Sequence, residues 1–306
     1  MILITGASGL LGSNLVLTGV KAGREIAALT HDHPIHLDGV ESVRVDLTDT
    51  PAVNAVVAKL RPSAVIHCAA MTNIDDAERS PEAAMRINGA ASGALAEAAA
   101  NVGARFVYVS TDTVFDGTRK FSSETDEVRP LNVYGRTKLA GEHASLRLNP
   151  NTIVARTNLY GWNALPKQSL AEWVLESLER GETVPGFTDV FFCPFLVNDL
   201  AESLFAMVDR NLTGIYHVVG SERISKHDFA ARVARRFGLD ESKVLPASVQ
   251  DAALSAPRVH ELSLSTDKIA GALGRKMPGV DKGLERFAAL RDNGFRTELR
   301  AMVTTR

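Results

Sequence analysis

Apolar runs of strand length alternate with amphipathic stretches of helical length through the first half of the chain. Ile2–Thr5, Glu25–Thr30, Ser42–Val45, Ala64–Cys68, Arg105–Ser110 and Thr152–Ala155 are short and almost continuously apolar. That pattern fits parallel strands covered on both faces. Between them Leu11–Ala22, Pro51–Leu60, Pro81–Val102 and Val133–Leu146 have the length and amphipathic character of helices. Ser80 is placed to cap the third, with Pro81 as its first residue. Regular strand–helix alternation predicts an α/β fold with a doubly wound parallel sheet.

Beyond about residue 158 the rhythm loosens. Ser169–Arg180, Asp199–Asp209, Ser225–Phe237 and Lys282–Asp292 read as helices, and Gly214–Val219 as a strand. Asn198 or Asp199 is expected to cap the second of these helices and Ser225 the third. These pieces predict a smaller C-terminal α/β lobe covering a substrate. The expected division gives 1–158, with roughly 190–220 returning to the main sheet, to a dinucleotide-binding domain. The lobe then takes 159–189 and 221–306.

Composition narrows the functional classes. The chain has 306 residues, 45% hydrophobic and 23% charged, which excludes disorder and fibrous repeats. Lys plus Arg at 34 against Asp plus Glu at 36 leaves a net charge of −2, without the basic excess of a nucleic-acid binder. Two cysteines, Cys68 and Cys193, build no disulfide framework and point to a reducing compartment. No apolar run reaches bilayer-spanning length, and no signal-like segment stands at the start. The expectation is a cytoplasmic protein with no membrane partner. His31, His33 and His36 read as a solvated loop, so no metal site is expected.

Gly6-Ala7-Ser8-Gly9-Leu10-Leu11-Gly12 joins the first strand to the first helix. Glycine serves where the backbone turns tightly and where a pyrophosphate must approach without a Cβ in the way. The helix then presents free N–H groups and its positive dipole end to the phosphate. A tight strand-to-helix turn would also account for three glycines. Their place at the very first junction favours a Rossmann-type dinucleotide site. The second strand ends Leu29-Thr30-His31, with no carboxylate before Asp32. Thr30 and His31 favour the 2′-phosphate of NADPH, and Asp32 keeps NADH open. Asp46-Leu47 would border the adenine, and the small Ala69-Ala70 would let the cofactor pass.

Tyr134 and Lys138 stand four apart, on one face of their helix. A neighbouring ammonium is expected to lower the phenol's pKa and make it a proton donor and acceptor. Upstream, Ser110-Thr111-Asp112-Thr113 ends a strand where a doubly wound sheet binds ligands. A hydroxyl there would bond a substrate carbonyl. A turn-forming cluster and two surface residues would explain these pieces taken singly. Tyr160 and Trp162 fit either stacking on a nucleotide base or packing within the lobe. Cys68 reads as a small core residue, and Cys193 as packing near the substrate side.

In this order the motifs resemble the extended short-chain dehydrogenase/reductase family, whose members act on nucleotide-activated sugars. The resemblance runs through Gly6-x-x-Gly9-x-x-Gly12, Asp46-Leu47, Ala69-Ala70, Asn88, Ser110-Thr111-Asp112 and Tyr134-x-x-x-Lys138. It continues through Arg156-Thr157-Asn158-Leu159-Tyr160-Gly161 to Asp199-Leu200-Ala201. Ser110–Gly117, Pro130–Glu142, His67–Thr72 with Asp75 and Ala77-Glu78, and Leu264–Lys268 look most like the dTDP-4-dehydrorhamnose reductase group. Three positions depart on the substrate side: Thr113 where that group has tyrosine, Leu159 near its tryptophan, and Pro257-Arg258 for an Arg-Pro.

The resemblance implies an NAD(P)H-dependent reductase of a 4-keto-6-deoxy sugar nucleotide, with a homodimer as a common assembly. Thr111, Tyr134 and Lys138 would be catalytic. Gly6, Ser8, Gly9, Leu10, Leu11, Gly12, Thr30, His31, Asp46, Leu47, Ala69, Ala70, Asn88, Tyr134 and Lys138 would meet the cofactor. Thr72, Asp112, Thr113 and Asn158 would meet the sugar nucleotide. Asn88 would also brace the helix carrying a proton relay. The alternatives are a sugar-nucleotide epimerase and a non-catalytic regulatory subunit like the relative that partners methionine adenosyltransferase. Thr113 disfavours a dehydratase, which carries glutamate there, and Thr30 disfavours an epimerase.

Overall fold

The computed structural model describes residues 1–252 and 254–303. The apolar runs form β1 (Ile2–Thr5), β2 (Ile26–Thr30), β3 (Glu41–Arg44), β4 (Ala64–His67), β5 (Arg105–Thr111) and β6 (Thr152–Thr157); Gly214–His217 is β7. All seven pair in parallel, in the order β7-β6-β5-β4-β1-β2-β3. Strand order reverses between β1 and β4. The crevice beyond their carboxyl ends, at Thr5 and His67, is the ligand position of such a sheet.

Successive side chains of β1 enter opposite cores. Ile2 and Ile4 pack with Leu11, Leu15 and Leu200, whereas Leu3 packs with Val53, Val57, Leu95 and Phe106. Burial on both faces is why these strands read as continuous apolar runs. β3 differs: Glu41, Ser42 and Arg44 are exposed on the sheet edge, where charged side chains discourage pairing with another chain.

Helices α1 (Leu10–Lys21), α2 (Thr50–Leu60), α3 (Ile74–Arg79) and α5 (Val133–Leu148) flank the sheet. Between the last two runs α4, in which Pro81–Ala84 passes through a π-helical Met85–Ala90 into Ala91–Asn101. Ser80 precedes Pro81 as expected, but its side chain makes no capping bond. The later helices are α6 (Leu170–Glu179), α7 (Val197–Asp209), α8 (Lys226–Arg236), α9 (Asp267–Leu273), α10 (Val280–Asp292) and α11 (Phe295–Ala301). Ser225 caps α8 through Asp228 N. α7 starts before Asn198 and Asp199, which therefore do not cap it; Asn198 instead donates to Asn14, and Asp199 pairs with Arg286.

Short strands complete the second part. Val184–Phe187 pairs in parallel with Val244–Ala247, and Phe191–Phe192 lies between Ile224–Ser225 and Glu261–Leu262. Its nucleus is aromatic: Trp162 stacks on Phe287 with ring centroids 4.0 Å apart, and Tyr160 meets Phe229 and Phe287 edge-on. Both are buried, and Trp162 Nε1 donates to the Phe287 carbonyl at 2.9 Å, so these two aromatics pack the lobe and do not face a nucleotide base. The tail bridges the lobe and the first domain: Arg296 on α11 pairs with Glu176 and lies over the Trp162 ring. Glu298 on α11 pairs with Lys21 on α1, and His36 N donates to the Met302 carbonyl at 2.7 Å.

Candidate active site

The glycine loop starts with Gly6 at φ +60°, where a Cβ would fall 2.7 Å from Ala69 N. At Gly12 a Cβ would fall 2.1 Å from the Gly6 carbonyl oxygen. The chain's own packing thus demands both glycines. Gly9 has an ordinary φ of −74°, and the one atom near its missing Cβ is Gly6 O at 3.3 Å, a contact a small shift relieves. Close approach of an outside group is the remaining reason for glycine there. Gly9 also begins α1 without any side-chain cap, leaving the first-turn N–H groups for an anion. The loop therefore fits a dinucleotide pyrophosphate.

Around it stand the strand ends. Thr30 is buried, and its carbonyl accepts Val45 N at 2.9 Å. His31 is exposed, with Nδ1 3.1 Å from Asp32 Oδ1, and no carboxylate lies on β2 itself. Asp46 Oδ1 takes both the N–H and the hydroxyl of Thr48 at 2.8 Å, bonds that hold its carboxyl below the ordinary range. Leu47 packs on the second core, and Ala69 and Ala70 are half-buried beyond β4. Beneath the crevice, His67 is buried between the Thr5 hydroxyl (2.6 Å) and the Ser92 hydroxyl (2.9 Å). Burial pushes its imidazole down to about 3, so it is neutral.

At the end of β5 the Thr111 hydroxyl lies 2.7 Å from that of Thr113 and donates to Asp112 Oδ1 at 3.1 Å. Asn158 Nδ2 donates to Asp112 Oδ2 at 2.6 Å. Burial raises the Asp112 carboxyl to about 6, against these bonds. On the first turn of α5 the half-buried Tyr134 phenol is raised by burial to about 12, while interaction with Thr111 favours its phenolate. One turn on, Lys138 is buried, with Nζ donating to the Val109 carbonyl at 2.7 Å and lying 4.0 Å over the Tyr108 ring. Burial brings its ammonium down to about 7. The expected lowering of the phenol by this ammonium is not realised. Lys138 gives one Nζ–H to Val109 and lies over Tyr108, and desolvation governs Tyr134.

Two further features set the frame. Asn88 is fully buried; Oδ1 accepts Met71 N at 2.8 Å, and Nδ2 donates to Met71 O and to the Thr137 hydroxyl, each at 3.1 Å. It braces α5 against the loop after β4 and has no surface to offer a cofactor, which corrects its assignment as a contact. Glu142, four residues beyond Lys138, forms a buried bidentate pair with Arg156 at 3.0 and 2.8 Å and accepts the Ser110 hydroxyl at 2.5 Å. The four-residue step Tyr134, Lys138, Glu142 could have revealed this anchor. Thr72 is exposed, its hydroxyl 3.4 Å from Lys167 Nζ. Cys68, expected in the core, is half-buried at the mouth of β4, and Cys193 is fully buried beside Val114, Phe115 and Leu264.

Residues 1–292 match the model of the family described as RmlD substrate binding domain. A probable low-salt glycan biosynthesis reductase of Haloferax volcanii is 32% identical over 296 residues, 94% of this chain and 96% of that one. Methionine adenosyltransferase 2 subunit beta of Pongo abelii is 32% identical over 304 residues, 94% of this chain and 87% of that one. The solved dTDP-4-dehydrorhamnose reductase of Bacillus anthracis, in complex with NADP, aligns with a TM-score of 0.84 at 29% identity, covering 94% of this chain and 98% of that one. By the family match over residues 1–292, the chain belongs to the RmlD substrate binding domain family of extended short-chain dehydrogenase/reductases.

Proposed function

We propose that this chain is an NADPH-dependent reductase that converts the 4-keto group of a nucleotide-activated 6-deoxy sugar to an alcohol. The observation that supports this reading is the placing of Thr111 at the end of β5 within hydrogen-bond influence of Tyr134 on the first turn of α5, with Lys138 one turn on. The first helix of the same sheet opens uncapped at glycine. The likeness to the NADP-bound Bacillus anthracis reductase supports the same chemistry, with NADH as a second donor.

NADPH, when bound, supplies the hydride to the carbonyl carbon. Gly6, Ser8, Gly9, Leu10, Leu11 and Gly12 hold its pyrophosphate, Thr30 and His31 its 2′-phosphate, and Asp46 and Leu47 its adenine. Ala69 and Ala70 give it passage, and Lys138 holds the nicotinamide ribose. The Thr111 hydroxyl bonds the carbonyl oxygen, and Tyr134 gives that oxygen its proton as it becomes hydroxyl. Burial keeps the phenol protonated until the developing alkoxide, the stronger base, takes its proton. Solvent then reprotonates the phenolate. Thr72, Asp112, Thr113 and Asn158 seat the sugar nucleotide, and Asn88 braces the helix.

In this reading 1–158 and about 190–220 form the dinucleotide domain, and 159–189 with 221–306 covers the substrate. The working assembly is a homodimer. Two free cysteines support a cytoplasmic location; among the described residues no helix is long and apolar enough to cross a membrane. Similarity to a methionine adenosyltransferase subunit favours a second, regulatory reading. The test is a panel of 4-keto sugar nucleotides with NADPH and NADH, products identified by NMR. Turnover with any of them carries the enzymatic reading; NADPH binding without turnover on every substrate carries the regulatory one.

A further inference from the structure

One carboxylate near the groove gathers a segment 180 residues further along the chain. Asp75, on α3, accepts at Oδ1 from Ser255 N (3.1 Å), Ser255 Oγ (2.8 Å), Ala256 N (3.0 Å) and Arg258 Nη1 (3.3 Å). Oδ2 accepts from Arg258 Nη2 at 2.6 Å. The paired contacts of the guanidinium are the fork geometry that gives Arg–carboxylate pairs both strength and direction. Asn73 caps α3 and so fixes the carboxylate's base.

The same strap reaches the catalytic helix. Asn132 Nδ2 donates to the Pro257 carbonyl at 3.1 Å, while Asn132 Oδ1 accepts Gly135 N at 2.8 Å. Val133 N donates to Glu78 Oε2 on α3 at 3.0 Å. Hydrogen bonds therefore close a triangle between α3, the 255–258 strap and the first turn of α5. Tyr134 sits between Val133 and Gly135, whose N–H groups are both held by it. The charges of Arg258 and Asp112 both act, in opposite senses, on Lys226.

We propose that Asp75 and Arg258 are positioning residues, a clasp that locks the 255–258 strap to α3 and thereby sets the Tyr134 phenol for the incoming sugar nucleotide. The kinetic half of this proposal rests on the reductase reading above; the geometric half does not. The clasp touches no reacting atom and acts through Asn132 and the first turn of α5.

The test compares the full chain with Arg258→Ala, Arg258→Lys and Asp75→Ala. The chain has 4 tyrosines, so tyrosine ring-carbon NMR resolves Tyr134 after assignment with Tyr134→Phe. In Arg258→Ala the Tyr134 signal is expected to shift and broaden. KM for the sugar nucleotide should rise about tenfold with NADPH affinity unchanged, the loss of a charge-assisted pair that still leaves Asp75 three donors. Millimolar guanidinium should restore both readouts, and Arg258→Lys should fall between. An unmoved Tyr134 signal in both Arg258→Ala and Asp75→Ala overturns the proposal. So does an unchanged KM in Arg258→Ala, or a shift that guanidinium does not reverse. If wild-type protein reduces no sugar nucleotide, the reductase reading fails while the Tyr134 signal still decides the clasp.

Discussion

Glu142 offers the sharpest energetic prediction. It follows Tyr134 and Lys138 at the next four-residue step of α5, on the same face of the helix. Glu142 and Arg156 are buried, 0% and 2% exposed, and their bidentate contact is joined by the Ser110 hydroxyl. Replacing Glu142 by leucine leaves a guanidinium in the core without its counter-ion, a change that costs about 3–5 kcal/mol. Releasing the Ser110 bond adds about 1 kcal/mol. Glu142→Leu combined with Arg156→Met removes both charges and should recover most of the loss, because exchanging a buried pair for apolar groups is close to neutral. Urea unfolding of wild type, both single variants and the double variant measures the cycle. Each single variant should be clearly less stable than the double. A Glu142→Leu loss below about 1 kcal/mol, or a double-variant loss equal to the sum of the singles, would refute the reasoning.

Other consequences follow from single features. Gly12→Ala places a Cβ 2.1 Å from Gly6 O; thermal unfolding should show it destabilised by about 1–3 kcal/mol, and titration should show NADPH binding lost. Gly9→Ala should fold nearly normally yet bind NADPH weakly, the contrast expected if its bare Cα serves the cofactor. His67 and His217 are each held by burial at about 3, below the unfolded value near 6.5. The unfolded chain takes up protons that the native one refuses, so stability falls as pH drops below about 6.5. Asp112, raised to about 6, opposes one of these two protons between pH 6 and 4. Glu172 and Asp199, also raised by burial, oppose the uptake in the same sense, and the net result should still be a fall in stability with falling pH, readable from urea midpoints.

Much of this molecule was legible in its sequence. Continuous apolar runs marked β1, β2, β4, β5 and β6 because both faces of each are buried. The glycine loop opens α1 and the Tyr134–Lys138 step lies on α5 as read, because strand–helix junctions and helix periods act locally. What escaped acts over long range or through desolvation. Asp75 and Arg258 are separated by 183 residues, and although each stands in a stretch of the resemblance, nothing in the sequence pairs them. The phenol went up where spacing predicted down, because burial outweighs the neighbouring charge. Tyr160 and Trp162 were ambiguous until their partners Phe229 and Phe287 came together in the lobe. The six residues of α3 and seven each of α9 and α11 are too few to display a period.

The central claim is that Tyr134 hands a proton to a sugar carbonyl oxygen while a nicotinamide beside it reduces the carbon. Its most direct measurement uses NADPH deuterated at nicotinamide C4, a 4-keto-6-deoxy sugar nucleotide, and NMR of the product, in wild type and Tyr134→Phe. Deuterium should appear at sugar C4 with wild type, and Tyr134→Phe should lose about 10²–10⁴-fold in turnover with NADPH binding intact. Deuterium elsewhere in the sugar, or near-normal turnover by Tyr134→Phe, would contradict the account.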